Sequence, residues 1–286
     1  MNTPRATPDS SSSSGSQSSA GTRPDIGLII VGDEILSGKR QDKHLPKVIE
    51  LLGARGLALK WARYAGDDRA HITADLRHAF ASGDLVFSCG GIGATPDDHT
   101  RQSAAAALGV PLALHPQARE LIVQRMRDVA LEQGLPFEPE RADNLHRLNM
   151  GVFPEGASII PNPYNKIPGF SVGHVHFVPG FPVMAWPMIE WVLDQRYAHL
   201  HGGQVTGERS VIVFGAMEAA LTPLMEDIER QFAGVKVFSL PSVDHPTYGR
   251  HIELGVKGAG ALDEPFAALK AGLRALSAEL GPELVR

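Results

Sequence analysis

Residues 84–100, DLVFSCGGIGATPDDHT, set the reading of the whole chain. Leu85, Val86 and Phe87 form the short apolar run expected of a central parallel strand. Gly90, Gly91 and Gly93 let the backbone turn sharply and approach closely whatever lies above it. Thr95 then stands as an N-cap, Pro96 as a first helical residue and Asp98 three positions on, so the sequence predicts a helix starting at Pro96. A glycine turn feeding a helix N-terminus presents backbone N–H groups with the positive end of the dipole behind them, which suits phosphate. Asp97 and Asp98 either cap that helix or face a bound phosphate across a divalent cation such as Mg²⁺.

Upstream the same pattern recurs. Residues 26–31, IGLIIV, read as a buried strand that ends at Gly32, Asp33 and Glu34, and a helix is expected over residues 42–54. Residues 57–64 read as a second strand running into Gly66, Asp67 and Asp68, with a helix expected over 69–81. Asp67 and Asp68 are candidates either for a site or for capping that helix. Strands that finish in acidic turns place carboxylates at the edge where open α/β sheets bind ligands.

Downstream, helices are expected over 96–108, 116–133 and 138–150, then strands over 158–160 and 174–178 and a helix over 183–198. Between the last two strands, PNPYNKIPGF is stiffened by its prolines and can hold Asn162, Asn165 or Lys166 in a set geometry. In a mostly parallel sheet right-handed crossovers gather these turns on one edge. Past a hinge expected at Gly202 and Gly203, the pattern over 205–286 predicts a small βαββα sandwich. Its Gly255-Val256-Lys257-Gly258 string matches a GxxG RNA-binding loop only superficially, because it falls at a strand end in an acidic segment.

Composition narrows the function. A length of 286 residues fits one α/β domain with a smaller companion, and the formal net charge of −5 argues against a polyanion-binding surface, so no nucleic-acid partner is expected. Cys89 is the single cysteine, which fits a reducing compartment, and it reads as a buried strand residue. The twelve histidines show no zinc-like spacing. No apolar run is long enough for a membrane span, so a cytoplasmic protein with no membrane partner is expected. Residues 1–24, rich in serine, read as a disordered tail.

The motifs GDEILSG, AGDD, GGIGATPDDHT, NPYNKIPGF and PGFPVMAWPM together resemble the MoaB/MogA-type molybdopterin-binding domain, in the form that begins CinA-like (competence/damage-inducible) proteins. The resemblance covers roughly residues 26–197 and departs from the CinA-like pattern at Ile92, Ala94 and residues 39–42. No amidohydrolase domain of the kind carried by longer CinA proteins is expected within these residues. It implies a three-layer α/β/α molybdopterin-binding fold over residues 25–200, with a ligand held at the carboxyl edge. Gly90, Gly91, Gly93 and Thr95 match the phosphate cradle, and Gly32, Glu34, Asn162, Pro168 and Gly169 lie in the other ligand-binding motifs. Asp67, Asp68 and Asp98 are the candidate catalytic residues, and Asp33 and Asp98 the candidate ligands of Mg²⁺ or another divalent cation. The implied small-molecule partner is molybdopterin or an adenine nucleotide, and relatives of this kind often form homo-oligomers. Two functions follow: a metal-dependent enzyme acting on a pyrophosphate or phosphate, by ADP-ribose-type hydrolysis or nucleotidyl transfer to a pterin, or a non-catalytic binding module in molybdenum cofactor metabolism.

Overall fold

The computed structural model describes residues 23–202 and 206–285; the serine-rich lead up to residue 22 and Gly203 of the expected hinge lie outside the described residues. The first strand, β1 (Ile26–Val31), is buried along its whole length. The chain then makes a one-turn helix α1 (Asp33–Leu36), a helix α2 (His44–Gly53), the strand β2 (Trp61–Ala65), a helix α3 (Arg69–Ser82) and the strand β3 (Leu85–Cys89). Next come α4 (Thr100–Leu108), the short strand β4 (Leu112–Leu114), α5 (Pro116–Glu132), α6 (Ala142–Arg147) and the strands β5 (Val152–Pro154), β6 (Ser158–Ile160), β7 (Gly169–Val172) and β8 (Val175–Val178), then α7 (Pro182–Arg196).

Six of these strands form one sheet in the order β2-β1-β3-β8-β7-β6. β2, β1, β3 and β8 are parallel; β7 folds back on β8 as a hairpin, and β6 pairs antiparallel with β7. Alternate residues of β1 point to opposite faces, as the two-residue period of a strand requires. Ile26, Leu28 and Ile30 pack with Val48, Leu52, Met188 and Val192 of α2 and α7. Ile29 and Val31 pack with Ile72, Leu76, Ala104 and Ala118 of α3, α4 and α5 on the other side. The result is the expected three-layer α/β/α arrangement with a mostly parallel sheet.

Several boundaries differ from the sequence expectation. The hairpin strand β7 begins at the last two residues of the NPYNKIPGF stretch, where prolines and glycine mask the start of a four-residue strand. The helix expected over 138–150 is two pieces, α6 and a 3₁₀ turn over Leu148–Gly151, and the neighbouring β4 and β5 pair as a separate two-stranded ribbon. The helix expected from Pro96 begins instead at Thr100, and Thr95 does not cap it. Asp98 folds back to accept from the Thr95 amide at 2.8 Å and its hydroxyl at 2.5 Å, closing a local turn before the helix. Such side-chain turns compete with helix initiation.

The second unit consists of β9 (Thr206–Phe214), α8 (Glu218–Gln231), β10 (Val235–His245), β11 (Gly249–Ala259), α9 (Asp263–Ala275) and β12 (Glu279–Val285). The sheet order is β10-β11-β9-β12, all antiparallel neighbours, so a final strand extends the expected βαββα to βαββαβ, the split βαβ pattern. Helix α9 stops at Ala275 where Ser277 takes φ 58, and the chain is free to return as β12. The Gly255–Gly258 string lies inside β11, with Gly255 packed under the Phe238 ring. Among the described residues no helix is long and apolar enough to cross a membrane.

Candidate functional site

The parallel strands bring their C-terminal turns to one edge, and a cavity of about 390 Å³ opens there. The turns after β1 and β2 are clamped together. The Asp33 amide donates to Asp67 Oδ2 at 3.0 Å, and the Asp67 amide donates to Asp33 Oδ1 at 3.1 Å. Beside them β3 delivers the glycine turn, β6 and β7 deliver the loop of residues 161–168, and β8 delivers Pro179-Gly180-Phe181.

The glycine turn is fixed by the first residues of α4. Gly90 has φ 106 and Gly91 φ 67, and a Cβ on either would fall on the Val31 carbonyl or on Thr100 Oγ1, so only glycine fits. Thr100 is fully buried; its hydroxyl donates to the Gly90 carbonyl at 3.0 Å and its amide to the Gly91 carbonyl at 3.0 Å. The Arg101 guanidinium donates to the Gly93 carbonyl. A trans peptide holds its C=O and the following N–H on opposite sides of one plane. Three carbonyls turned toward α4 therefore turn the amides of Gly91, Ile92 and Ala94 the other way. Among the described residues, the amides of Gly91, Ile92, Gly93 and Ala94 donate to no acceptor, and all four residues line the cavity.

Of the residues expected at the site, Gly32, Glu34, Asp67, Gly90, Gly91, Gly93, Thr95, Asp98, Asn162 and Pro168 line this cavity. Asn162 is buried, and its amide nitrogen donates to Asn165 Oδ1 at 2.8 Å and the Ile167 carbonyl at 2.9 Å, so it shapes the loop. Three expected residues stand apart. Asp68 caps α3 through the His71 amide at 2.8 Å, the capping alternative for that residue. Asp33 is turned onto the Asp67 amide. Gly169 opens β7, where a Cβ would strike the Phe177 carbonyl and the Met188 methyl, so it serves packing.

Asp67 is held above its ordinary carboxyl value by partial burial first, with the charges of Asp33, Glu34 and Asp97 adding to the shift against a backbone hydrogen bond that opposes it. Among the described residues, no group of three or more His, Cys, Asp and Glu side chains is placed to hold a metal ion. The two expected metal ligands, Asp33 and Asp98, each have one carboxylate oxygen bonded, Asp33 Oδ1 to the Asp67 amide and Asp98 Oδ2 to Thr95. The residues present do not fit a cation held by the protein alone.

Sequence reasoning missed Arg40, the one cationic side chain lining this cavity among the described residues, and missed Thr100 and Arg101 as the groups that orient the turn. Thr100 closes the quoted motif and Arg101 follows it directly, so position beside the motif was the available signal. Their buried hydrogen bonds to carbonyls leave no trace in periodicity.

With this geometry in place, comparison with known proteins is informative. A family model described as a probable molybdopterin binding domain matches residues 27–199. A CinA-like protein of Anaeromyxobacter sp. (strain Fw109-5) is 33% identical over 211 residues, covering 71% of this chain and 48% of its own length. The chain thus spans about half the length of the curated CinA-like relatives it matches. A protein of Caldivirga maquilingensis is 28% identical over 83% of this chain and 89% of its own length. Among solved structures, the protein CinA with unknown function from Thermoplasma acidophilum is 26% identical, with a TM-score of 0.50, over 60% of this chain and 98% of that one.

Proposed function

Because the chain belongs to the family of probable molybdopterin binding domains, we propose that the cavity at the carboxyl edge of its six-stranded sheet binds the phosphate end of a molybdopterin or an adenine nucleotide. The observation that carries this is that the amides from Gly91 to Ala94 have no acceptor among the described residues and that all four residues line the cavity. Consecutive amides with their dipoles aligned make an anion site without any side-chain charge. The loop from Asn162 to Pro168 and the residues Phe181 and Met184 offer the less polar wall on which a ring could lie.

Hydrolysis of a pyrophosphate or nucleotidyl transfer to a pterin is the second reading, favoured by Asp67. Its raised proton affinity beside the amide row suits a carboxylate that takes a proton from an attacking water or phosphate oxygen. The negative charge that then builds on phosphorus oxygens would fall to the Gly91–Ala94 amides and Arg40. A divalent cation enters this reading only if the substrate's own phosphates bring it.

Calorimetric titration of the purified chain with molybdopterin, AMP and ADP-ribose, in chelator and again in Mg²⁺, tests both readings. The binding reading expects saturable association in chelator that is lost when the phosphate is removed from the ligand. Equal affinity for a dephosphorylated ligand contradicts it. Appearance of nucleoside monophosphate from ADP-ribose, abolished in Asp67→Asn, would establish turnover.

A further inference from the structure

A second cavity, of about 490 Å³, lies on the far side of the segment that follows the glycine turn. It shares Ala94, Thr95 and Asp98 with the first, so residues 94–98 form the partition between the two. The two sides differ in charge. The first is lined by Glu34, Asp67, Asp97 and Asp98 against Arg40, the second by Arg69, His99, Arg101 and His146 against Asp98 alone.

Arg101 is the telling group. It is 5% exposed, its Nε has no hydrogen-bond partner, and its guanidinium is bonded to the Gly93 carbonyl. It makes no ion pair among the described residues, and Asp98, the acidic residue lining this cavity, has its Oδ2 turned to Thr95. Burial lowers the proton affinity of Arg101, with the charge of Asp98 opposing the shift in smaller measure. Arg69, at the first turn of α3, is exposed and makes no ion pair among the described residues; its backbone is tied to α4 by the Ser103 hydroxyl at 3.2 Å. His146 forms the opposite wall. Its Nε2 donates to the Ala94 carbonyl at 2.8 Å, and Nδ1 lies 3.4 Å from the Asn149 amide nitrogen.

We propose that this second cavity, between the starts of α3 and α4 and the helix α6, is an anion-binding site for a phosphate or carboxylate group, with Arg69, Arg101 and His99 as its recognition groups. The anion supplies the counter-charge that the buried Arg101 lacks. The site goes beyond the function proposed above, and its recognition groups line the second cavity and not the first. The same chemistry has two sources: a second phosphate of the ligand that occupies the first cavity, reaching across residues 94–98, or a separate small anion.

Histidine-ring and backbone-amide NMR of the full chain, titrated with inorganic phosphate, tests it. His99 and His146 ring signals are expected to shift saturably, with the midpoint raised about tenfold in Arg69→Gln, the loss expected when one charge-assisted contact is removed. An absence of saturable shifts at both histidines, or an unchanged midpoint in Arg69→Gln, overturns the proposal. Amide shifts at Gly91 and Ile92 report the first cavity separately, so the failure of one site is distinguishable from the failure of the other. With the second site established, ADP-ribose against AMP identifies the source. Saturation of histidine and Gly91 signals by one equivalent of ADP-ribose supports a bridging ligand, and a requirement for two equivalents of AMP supports a separate anion.

Discussion

The six-stranded sheet carries two polar clusters built from similar chemistry and treated in opposite ways. In the middle of the sheet, His176 is completely buried with Nδ1 2.7 Å from Ser171 Oγ and Nε2 2.9 Å from Tyr197 OH, and Tyr197 OH also lies 3.1 Å from His174 Nδ1. Every ring nitrogen of His176 has a partner, and no cavity described above reaches it. At the carboxyl edge the amides of Gly91 to Ala94 have no partner among the described residues, and all four residues line the cavity. A Ser-His-Tyr constellation would attract attention in a search for catalytic groups, yet it is a satisfied piece of core. The row of amides carries no side-chain chemistry at all and is the better site. What separates them is whether the hydrogen-bonding capacity is already used.

The sharpest way to break that distinction is Gly91→Ala. The residue would have to hold φ 67 with its Cβ on Thr100 Oγ1, so a loss of about 1–3 kcal/mol from backbone strain alone is expected, together with loss of phosphate binding. Denaturant unfolding and calorimetry read the two effects; a variant that binds normally would show that the turn geometry is unimportant. Thr100→Val is expected to cost about 1–3 kcal/mol without any added backbone strain, because the Gly90 carbonyl loses its hydroxyl donor in a buried setting, while the helix amide to Gly91 remains. Thr100→Ser should restore most of the stability and the affinity. Tyr197→Phe sharpens the comparison from the other side: about 1–2 kcal/mol of stability lost, with ligand affinity unchanged.

A pH scan gives a smaller and more gradual effect. Burial, with the charges of Arg196 and His174 adding to it, pushes the His176 proton affinity down from 6.5 to about 3. Below the unfolded value the unfolded chain binds a proton that the folded chain refuses. The contribution of His176 is therefore fully present above about pH 6.5, is lost progressively as pH falls, and stops changing below about pH 3. His176→Gln should flatten that part of the stability curve. The smallest effect is chemical: Cys89 is buried and its thiol is pushed well above the usual range by desolvation, so it should not react with a thiol reagent until the protein unfolds.

Much of this arrangement was legible in the chain. The apolar runs of β1 and β3 are continuous and short, as strands buried on both faces must be, and each is punctuated by a glycine turn. The acidic turns after β1 and β2 were correctly gathered at one edge because parallel crossovers leave no other choice. Where the reading went astray, local signals were ambiguous. Thr95-Pro96-Asp97-Asp98 carries every mark of a helix start, but Asp98 closes a turn on Thr95 and the helix waits for Thr100. The strand β12 was missed because the Ala- and Leu-rich residues leading to it gave no sign of the Ser277 reversal. The uses of Asp33 and Asp67 as clamps on each other's amides, and of Arg101 as a buried hold on Gly93, depend on residues brought together across the fold. No spacing along the chain encodes them.

The central claim is that the amides from Gly91 to Ala94 form an anion cradle. Crystals of the full chain soaked in inorganic phosphate test it most directly. Phosphate oxygens within hydrogen-bonding distance of at least two of those amides, at roughly 2.7–3.2 Å, are the expected result. A cavity at the carboxyl edge that holds no phosphate, or holds it against side chains alone with the Gly91–Ala94 amides untouched, would contradict the account.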